Sequence, residues 1–358
     1  MVASTTPIIS LTSATLAFGY LKNNVTSTKS FNMTAGTLSP TAGDITLTAP
    51  AGFQVSTLST TGFSSSINLP YTNSALGLTT IYVKFMPTVS QSYDGSISLS
   101  GGGATASVTL TGSGTNYSIG NYKSVATGNW GASTTWNKWD GAAWSGSTDF
   151  PNSATADVYI LGGVTITDET SSGSCGNLYI DESSTLIANS AVKTPVYLKI
   201  YGNTVSVGAG SRIGNTNTGN TADGISLDVF SNNFTITGGG AISLGRLRTN
   251  TANTLVTINA DITLNYHGSG NAGNAFSYYT VAGDNNTLTV NAGKTVTFAP
   301  WSCFAFNSGA HSIASNLSQT INLYGTMTFV DGDLGGLLTA NGWTGHTNNY
   351  FSMNVNNT

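Results

Sequence analysis

Short apolar triplets recur through the second half of the chain, separated by turns rich in glycine, asparagine and serine. They are VYI at 158, LYI at 178, LKI at 198, LDV at 227, VTI at 256, LTV at 288 and INL at 321. Intervals of 20 to 33 residues, each holding two or three short strands, are typical of a solenoid. One such repeat cannot bury its apolar side alone, so the pattern predicts stacked repeats around a continuous core.

The first 115 residues follow another pattern, in which apolar and polar residues alternate between clusters of turn residues. In TTIYVKF, the residues Ile81, Val83 and Phe85 share one side of a strand, and Tyr82 and Lys84 share the other. Seven runs of this kind predict seven short strands. This number and the turn signals between them predict a β-sandwich of the immunoglobulin type.

Charged residues make up only 7% of the chain, and its 11 Lys and Arg residues are spread along its whole length. Neutralisation of phosphates needs clustered basic residues, so a nucleic-acid partner is not expected. No apolar run reaches the roughly eighteen residues of a membrane-spanning helix. The start, MVASTTPIIS, lacks a basic and apolar leader, which favours a mature or recombinant part of an extracellular protein.

The N-terminal part resembles a known repeat. DITLTAPAGFQVS and TTIYVKFMPTVSQSYDGSISLSGGGATASVTLTGSG are similar, in order and spacing, to the immunoglobulin-like repeat of secreted multidomain proteins of Bacteroidota. The resemblance covers residues 6 to 115. It implies a spacer or presentation module without catalysis, and export from the cell, often by the type IX route.

A second resemblance lies in GNWGASTTWNKWDGAAW, residues 128 to 144, which hold four of the six tryptophans. With the following residues up to VYI, this segment resembles the one that precedes right-handed parallel β-helices in Bacteroidota surface proteins. Trp130, Trp136, Pro151 and Asp157 occupy its characteristic positions. The end of a solenoid exposes apolar core and unpaired strand edges, so Trp130 and Trp136 are predicted to form a structural cap.

Two further pairs of residues are candidates for glycan binding. Trp139 and Trp144 lie on a predicted hairpin around Asp140-Gly141, where we expect them to be more exposed than the cap residues and where sugar stacking is an alternative role. In GRLR, Arg246 and Arg248 point to the same side of a strand. A solvated pair is the favoured interpretation of these arginines, and binding of an anionic glycan is the alternative.

Catalytic motifs are not recognisable in the second half. Acidic residues are scattered and do not repeat at solenoid spacing, as calcium-dependent lyases and hydrolases with paired carboxylates would require. His267, His311 and His346 have no partners at the spacing of a triad or a metal site, and no GxSxG motif occurs. The chain is therefore expected not to be an enzyme and to need no cofactor.

One pair of aspartates and the two cysteines are candidates for metal binding or a disulfide. In VDGDLGG, Asp331 and Asp333 offer two carboxylates, fewer oxygen ligands than calcium takes, so they are only a candidate calcium pair. Cys175 and Cys303 lie among small and apolar residues. Two buried thiols are the favoured interpretation, and a disulfide or a metal role are the alternatives.

Together these patterns predict an all-β chain. We expect an N-terminal immunoglobulin-like β-sandwich (residues 1–116), a Trp-rich linker and cap (117–156) and a C-terminal right-handed parallel β-helix (157–358). The expected function is that of a non-enzymatic extracellular or cell-surface structural and adhesive protein. Its expected partners are copies of itself, joined head to tail in a filament through residues 1–13 or the domain that contains them. The alternative is a glycan-binding or lyase-type β-helix protein.

Overall fold

The structure is a computed structural model that describes residues 6–168, 173–188, 196–214, 224–265, 267–268, 271–277, 285–299, 302–305, 318–330 and 350–355. The chain divides into two compact units, Met1–Tyr117 and Ser118–Thr358. Among the described residues the secondary structure is all-β apart from one 3-10 turn, Ser133–Thr135. The described part holds no helix long and apolar enough to span a membrane.

The described residues of the first unit, from Thr6 onwards, form nine strands in two sheets. The strands are β1 Ile8–Leu11, β2 Thr15–Lys22, β3 Ser27–Gly36, β4 Gly43–Thr48, β5 Phe53–Ser56, β6 Ser66–Tyr71, β7 Leu76–Phe85, β8 Gly95–Gly101 and β9 Ala104–Thr115. One sheet has the order β1-β3-β7-β5 and the other has the order β2-β9-β8-β4-β6. All neighbours are antiparallel except β2 and β9, which run parallel.

The core of this unit is formed by the inward side chains of both sheets. Ile81, Val83 and Phe85 of the central strand β7 are completely buried, which confirms the alternation predicted from TTIYVKF. Phe85 stacks on Phe53 with ring centroids 4.7 Å apart, and Phe18 of the opposite sheet packs against both rings. The unit thus holds together by packing of large side chains across its two sheets.

The predicted number of seven strands in the first unit is wrong, because two of the runs are each divided by a turn. The run that begins at Pro7 breaks at Thr12-Ser13 into β1 and β2, which join different sheets. The third run breaks between β4 and β5, where Gly52 has a φ of +85°. A Cβ at this glycine would lie 2.3 Å from the Tyr93 ring, so the turn excludes other residues.

In the second unit the described strands form three sheets, named I, II and III. Its strands are β10 Tyr122–Ser124, β11 Gly128–Asn129, β12 Trp136–Trp139, β13 Trp144–Gly146, β14 Val158–Ile160, β15 Thr165–Asp168, β16 Ser174–Cys175, β17 Leu178–Ile180, β18 Thr185–Ala188, β19 Val196–Ile200, β20 Thr204–Val207, β21 Arg212–Ile213, β22 Ile225–Val229, β23 Asn233–Thr237, β24 Ala241–Leu244, β25 Leu247–Thr249, β26 Leu255–Asn259, β27 Ile262–Leu264, β28 His267–Gly268, β29 Asn271–Ser277, β30 Asn285–Val290, β31 Thr295–Phe298, β32 Ser302–Ala305, β33 Ser318–Leu323, β34 Thr326–Phe329 and β35 Tyr350–Val355.

Sheet I has the order β13-β12-β10-β14-β17-β20-β23-β26-β30-β33-β35. Sheet II has the order β11-β15-β18-β21-β24-β27-β31-β34, and sheet III has the order β16-β19-β22-β25-β29-β28 with β32 beside β29. From β14 to β34 the described strands follow the order sheet I, sheet II, sheet III, with both β28 and β29 in sheet III, and each such round is called a passage. Strands of successive passages pair in parallel. Parallel sheets built from sequential passages are therefore the architecture of this unit.

Inward side chains stack in register along these sheets. In sheet I, Leu178 is paired with Val158 on one side and with Val205 on the other, and Val205 is paired with Ile236. All four side chains are completely buried and belong to one cluster of apolar residues. Each passage therefore buries its apolar row against the rows of its neighbours.

The triplets that defined the sequence period do not all lie in one sheet. VYI, LYI, VTI, LTV and INL are in sheet I, whereas LKI at 198 and LDV at 227 are in β19 and β22 of sheet III. Between residues 178 and 256, the intervals between triplets therefore do not give the spacing of stacked positions in sheet I. An apolar triplet has the same local pattern in every sheet, so the sequence could not assign it to one of the three.

A ladder of polar side chains closes the corner that leads into sheet I. Asp157 Oδ1 accepts hydrogen bonds from the backbone N–H and the side-chain amide of Asn177, at 2.7 and 2.9 Å. Asn177 Oδ1 in turn accepts from the backbone N–H groups of Asn203 and Thr204, at 2.9 and 3.0 Å. Burial raises the pKa of Asp157. The ladder satisfies backbone donors that the turns leave without a strand partner.

The Trp-rich segment, predicted as a linker and cap over residues 117–156, is continuous with the second unit from Ser118 onwards. Its strand β10 pairs in parallel with β14 of sheet I, and β11 pairs in parallel with β15 of sheet II. The hairpin β12–β13 adds antiparallel strands to the same edge of sheet I. The segment therefore begins the parallel sheets.

Candidate functional site

Among the side chains that the structure describes, Trp130 and Trp136 are the two largest that are completely enclosed, each 1% exposed. The Trp130 ring N–H donates to the Pro151 carbonyl oxygen at 2.8 Å, and the Trp136 ring N–H donates to the Trp130 carbonyl oxygen at 2.8 Å. The two rings meet edge to face with centroids 5.2 Å apart. Both polar ring atoms are thus satisfied inside an apolar environment.

The two rings lie at the beginning of the parallel sheets. They belong to the same buried cluster as Val158 of β14 and Ile166 of β15, the first strands of the repeating passages. A Cβ at Gly173 would come within 2.8 Å of the Trp130 ring nitrogen, so the chain runs directly against this ring. Trp130 and Trp136 therefore pack on the apolar side chains of the first passage.

Trp139 is less accessible than the sequence suggested, whereas Trp144 is partly exposed. Trp139 is only 6% exposed and packs against Trp144 across the hairpin, with ring centroids 5.4 Å apart. Antiparallel pairing of β12 and β13 places the two residues directly opposite each other, which explains the contact. Trp139 is thus only slightly more exposed than Trp130, at 6% against 1%, and its role in glycan binding stays a prediction.

Trp144 begins a row of aromatic rings on the outer side of sheet I. Its ring meets Tyr159 edge to face at 6.4 Å, and Tyr159 stacks on Tyr179 at 4.9 Å. The Lys123 ammonium lies 5.0 Å from the centre of the Trp144 ring. Burial lowers the pKa of Lys123, and the nearby Glu182 carboxylate opposes this effect. Trp144 is therefore held on several sides by its neighbours.

A shallow cavity of about 350 Å³ opens beside Trp139. Its lining combines the side chains of Ile119, Trp139, Lys138 and Asp140 with a stretch of small residues, Ser145 to Thr148. The Asp140 carboxylate accepts hydrogen bonds from the backbone N–H groups of Ala143 and Ala142, and these bonds lower its pKa. An apolar wall with nearby hydroxyl and charged groups is a combination that can bind a small polar molecule.

A hydrogen-bonded network joins the hairpin to the first strand of sheet I. The Lys138 ammonium lies 2.8 Å from Asp149 Oδ2, and the Tyr122 hydroxyl donates to Asp149 Oδ1 at 2.9 Å. The bond from Lys138, together with that from Ser147, lowers the pKa of Asp149 to about 2. Burial raises the pKa of Tyr122, and the bond to Asp149 raises that of Lys138. The network therefore favours the ionised carboxylate.

Arg246 and Arg248 lie together on the outer side of sheet III, as the spacing predicted. Arg248 forms a two-pronged ion pair with Asp228 of the neighbouring strand, with Nε 2.8 Å from Oδ1. Its guanidinium also lies 4.9 Å from the centre of the Tyr197 ring, and Arg246 donates to the Tyr197 hydroxyl at 3.3 Å. The sequence does not indicate that Asp228 and Tyr197 contact these arginines, because both residues come from other passages of the chain.

Most of the other sequence candidates cannot be compared with this region. Asp331, Asp333, His311 and His346 lie outside the described residues, and so do the side chains of His267 and Cys303. Cys175 is a buried free thiol whose pKa is raised by burial. In the ranges that the structure describes, no three His, Cys, Asp or Glu side chains are grouped closely enough to hold a metal ion.

Comparison with known proteins finds little similarity. No protein-family model and no curated protein matches the chain. Among solved structures, a PapD-like domain of human CEP192 matches with 12% sequence identity and a TM-score of 0.22. The match covers 33% of this chain and 92% of that domain's chain. Similarity at this level assigns neither a fold nor a function.

Replacement of the enclosed tryptophans tests their structural role. Trp130→Ala and Trp136→Ala should each lower the free energy of unfolding by about 3–5 kcal/mol, because each leaves a cavity at the start of the stacked core. Trp144→Ala, which removes a partly exposed ring, should cost less. Denaturant unfolding measures all three. Equal small losses would contradict a cap formed by Trp130 and Trp136.

The network at Asp149 predicts a pH dependence of stability. The folded-state pKa of Asp149 is lowered to about 2, below the unfolded value of about 3.9, so its contribution is present above pH 4 and disappears between about pH 4 and pH 2. Asp149→Asn should therefore lower the melting temperature near neutral pH and have little effect near pH 2. Lys138→Gln, which removes the main cause of the shift, should behave in the same way. Parallel pH profiles of wild type and both variants would contradict the prediction.

Proposed function

We propose that this protein is a non-enzymatic extracellular structural or adhesive subunit, exported to the cell surface and assembled head to tail with copies of itself. Its second unit would be a right-handed parallel β-helix and its first an immunoglobulin-like presentation module of the Bacteroidota type. The observation that carries the proposal is the stacking of parallel strands in register, from β14 to β35 in sheet I. A stack of this kind is a repetitive scaffold in which each passage contacts only its neighbours.

Right-handedness is favoured by general stereochemistry. A strand followed by a crossover and a second parallel strand in the same sheet is right-handed in about 98% of known cases. The passages from β14 to β17 and from β17 to β20 are crossovers of this kind. The resemblance of residues 6 to 115 to a secreted repeat supports the proposed extracellular location.

Edge strands support assembly between copies. β1 lies at the edge of its sheet, and Ile8 on it is 56% exposed. Such an edge can accept a strand from another chain. The same pairing changes the proposed role of residues 1–13, because Ile8 to Leu11 already pair with β3 of their own unit. We therefore propose that copies of the chain make contact through the β1 edge and not by donation of an N-terminal segment.

Lysines on the β1 edge test this form of assembly. Ile8→Lys combined with Ser10→Lys should shorten or abolish filaments, since edge lysines oppose strand addition, and should leave the subunit folded because both side chains are exposed. Leu78→Lys is the matched control, because Leu78 is 73% exposed and lies on the central strand β7. Negative-stain electron microscopy measures filament length.

Two results would overturn this part of the proposal. One is a wild-type protein that stays as single particles at all concentrations tested. The other is a pair of edge lysines that leaves filament length equal to that of the Leu78→Lys control. Circular dichroism and the melting temperature establish that each variant is folded.

Glycan binding is the second candidate function, and the cavity beside Trp139 favours it. Oligosaccharides that occupy the cavity should change tryptophan fluorescence in a saturable way, and Ile119→Ala should weaken the response because Ile119 forms an apolar wall. Neutral and uronate oligosaccharides serve as separate probes. Saturable binding that is unchanged by Ile119→Ala would exclude this cavity as the binding site. A rise in ultraviolet absorbance from unsaturated ends, after incubation with uronate polysaccharide and calcium, would instead indicate a lyase.

A further inference from the structure

The outer side of sheet I carries an ordered array of small polar side chains across the strands β20, β23, β26 and β30. Neighbours in the array are paired in register along the sheet. One row consists of Thr204, Thr235, Thr257 and Thr289, and the row beside it consists of Ser206, Thr237 and Asn259. All but the exposed Asn259 are partly exposed, so the array lies at the surface of the sheet.

The array has two regular repeats. Adjacent strands of a sheet lie about 4.7–4.9 Å apart, and residues two positions apart along a strand are about 6.6–6.8 Å apart. Register without shifts over these four strands extends both repeats into a grid. Side-chain hydrogen bonds fix one edge of the grid, since Asn291 donates to Asn259 at 3.2 Å and Asn259 donates to Thr237 at 3.3 Å.

Charge is absent from this surface in the described residues. The outward positions of the four strands hold only Thr204, Ser206, Asn233, Thr235, Thr237, Leu255, Thr257, Asn259, Asn285, Thr287 and Thr289. By contrast, the outer side of sheet III carries Lys199, Asp228 and Arg248 in one row. Threonine is common in strands, but nothing in the packing of an outward position requires neighbours to be uncharged. What distinguishes the outer side of sheet I is the unbroken register of these neutral side chains over four strands.

We propose that this surface of sheet I binds ice. A crystal face of ice is a neutral grid of water oxygens whose repeat is close to the spacing of β-strands. Threonine hydroxyls can hydrogen-bond to such waters while the methyl groups order the water around them. A charged side chain would hold a hydration shell that does not fit the lattice. Among the described surfaces, sheet II offers one row of four hydroxyl side chains, Ser243, Thr263, Thr297 and Thr328, but on a side that also carries Arg212.

The test uses the full chain in assays of ice recrystallisation and of the gap between melting and freezing. Wild type should inhibit recrystallisation and open a measurable gap. Thr257→Lys, in the middle of the array, should reduce the activity at least about tenfold, because a bulky charge separates the surface from the lattice. Thr263→Lys is the matched control, since Thr263 points outward from the next strand of the same passage and is equally partly exposed.

Each outcome decides the proposal. Loss of activity in Thr257→Lys with retention in Thr263→Lys supports it, provided that circular dichroism shows both variants folded. If Thr257→Lys does not fold, Thr235→Lys on the neighbouring strand replaces it in the same comparison. Lack of activity in wild type, equal losses in both variants, or loss only in Thr263→Lys would each overturn the assignment to sheet I.

Discussion

Parallel pairing in register is the constraint on which the second unit depends. A single passage of short strands exposes its apolar row on both sides, and only the passages before and after it can cover that row. Leu178 illustrates this, since it is completely buried between Val158 and Val205 of the adjacent strands. Any shift by one residue would exchange its inward and outward side chains, so register and burial stabilise each other.

The same constraint means that the apolar side chains at the beginning of the stack need a separate cover. The first passage has no predecessor, and the chain places Trp130 and Trp136 against its apolar side chains. Hydrogen bonds from both ring nitrogens to backbone carbonyls allow these large rings to be enclosed completely. Backbone N–H groups at the corners also need hydrogen-bond acceptors. The ladder from Asp157 through Asn177 to Asn203 supplies them from side chains. Burial and polar satisfaction are thus achieved by different residues of each passage.

Because the core uses only the inward side chains, the outer surfaces are free to differ. Sheet III carries the Asp228–Arg248 ion pair beside Tyr197, sheet I begins with a row of aromatic rings, and further along the same sheet its surface is neutral and rich in threonine. Functional differences between surfaces can therefore arise without a change in the scaffold. Our proposals assign assembly to the β1 edge of the first unit and ice binding to the outer side of sheet I.

Local patterns in the sequence were sufficient for part of this description. Alternation with a period of two predicted the burial of Ile81, Val83 and Phe85, because side chains of a strand alternate whatever its partners are. The apolar triplets indicated repeated short strands for the same reason. The split of two predicted strands at Thr12-Ser13 and Gly52 was missed, since a turn that sends a strand to another sheet changes the local pattern very little.

Contacts between residues of different passages depend on loops of unequal length, so they are visible only in the tertiary structure. Passages of 20 to 33 residues bring distant residues into register, and a local pattern does not reveal which of three sheets an apolar triplet joins. Arg248 therefore meets Asp228, 20 residues earlier, and the threonines of sheet I form rows that no sequence period displays. The alternation of residues along the chain is enough to establish the all-β class and the side of the strand on which each side chain lies. The tertiary structure determined their neighbours, because contacts across strands depend on register and not on separation along the chain.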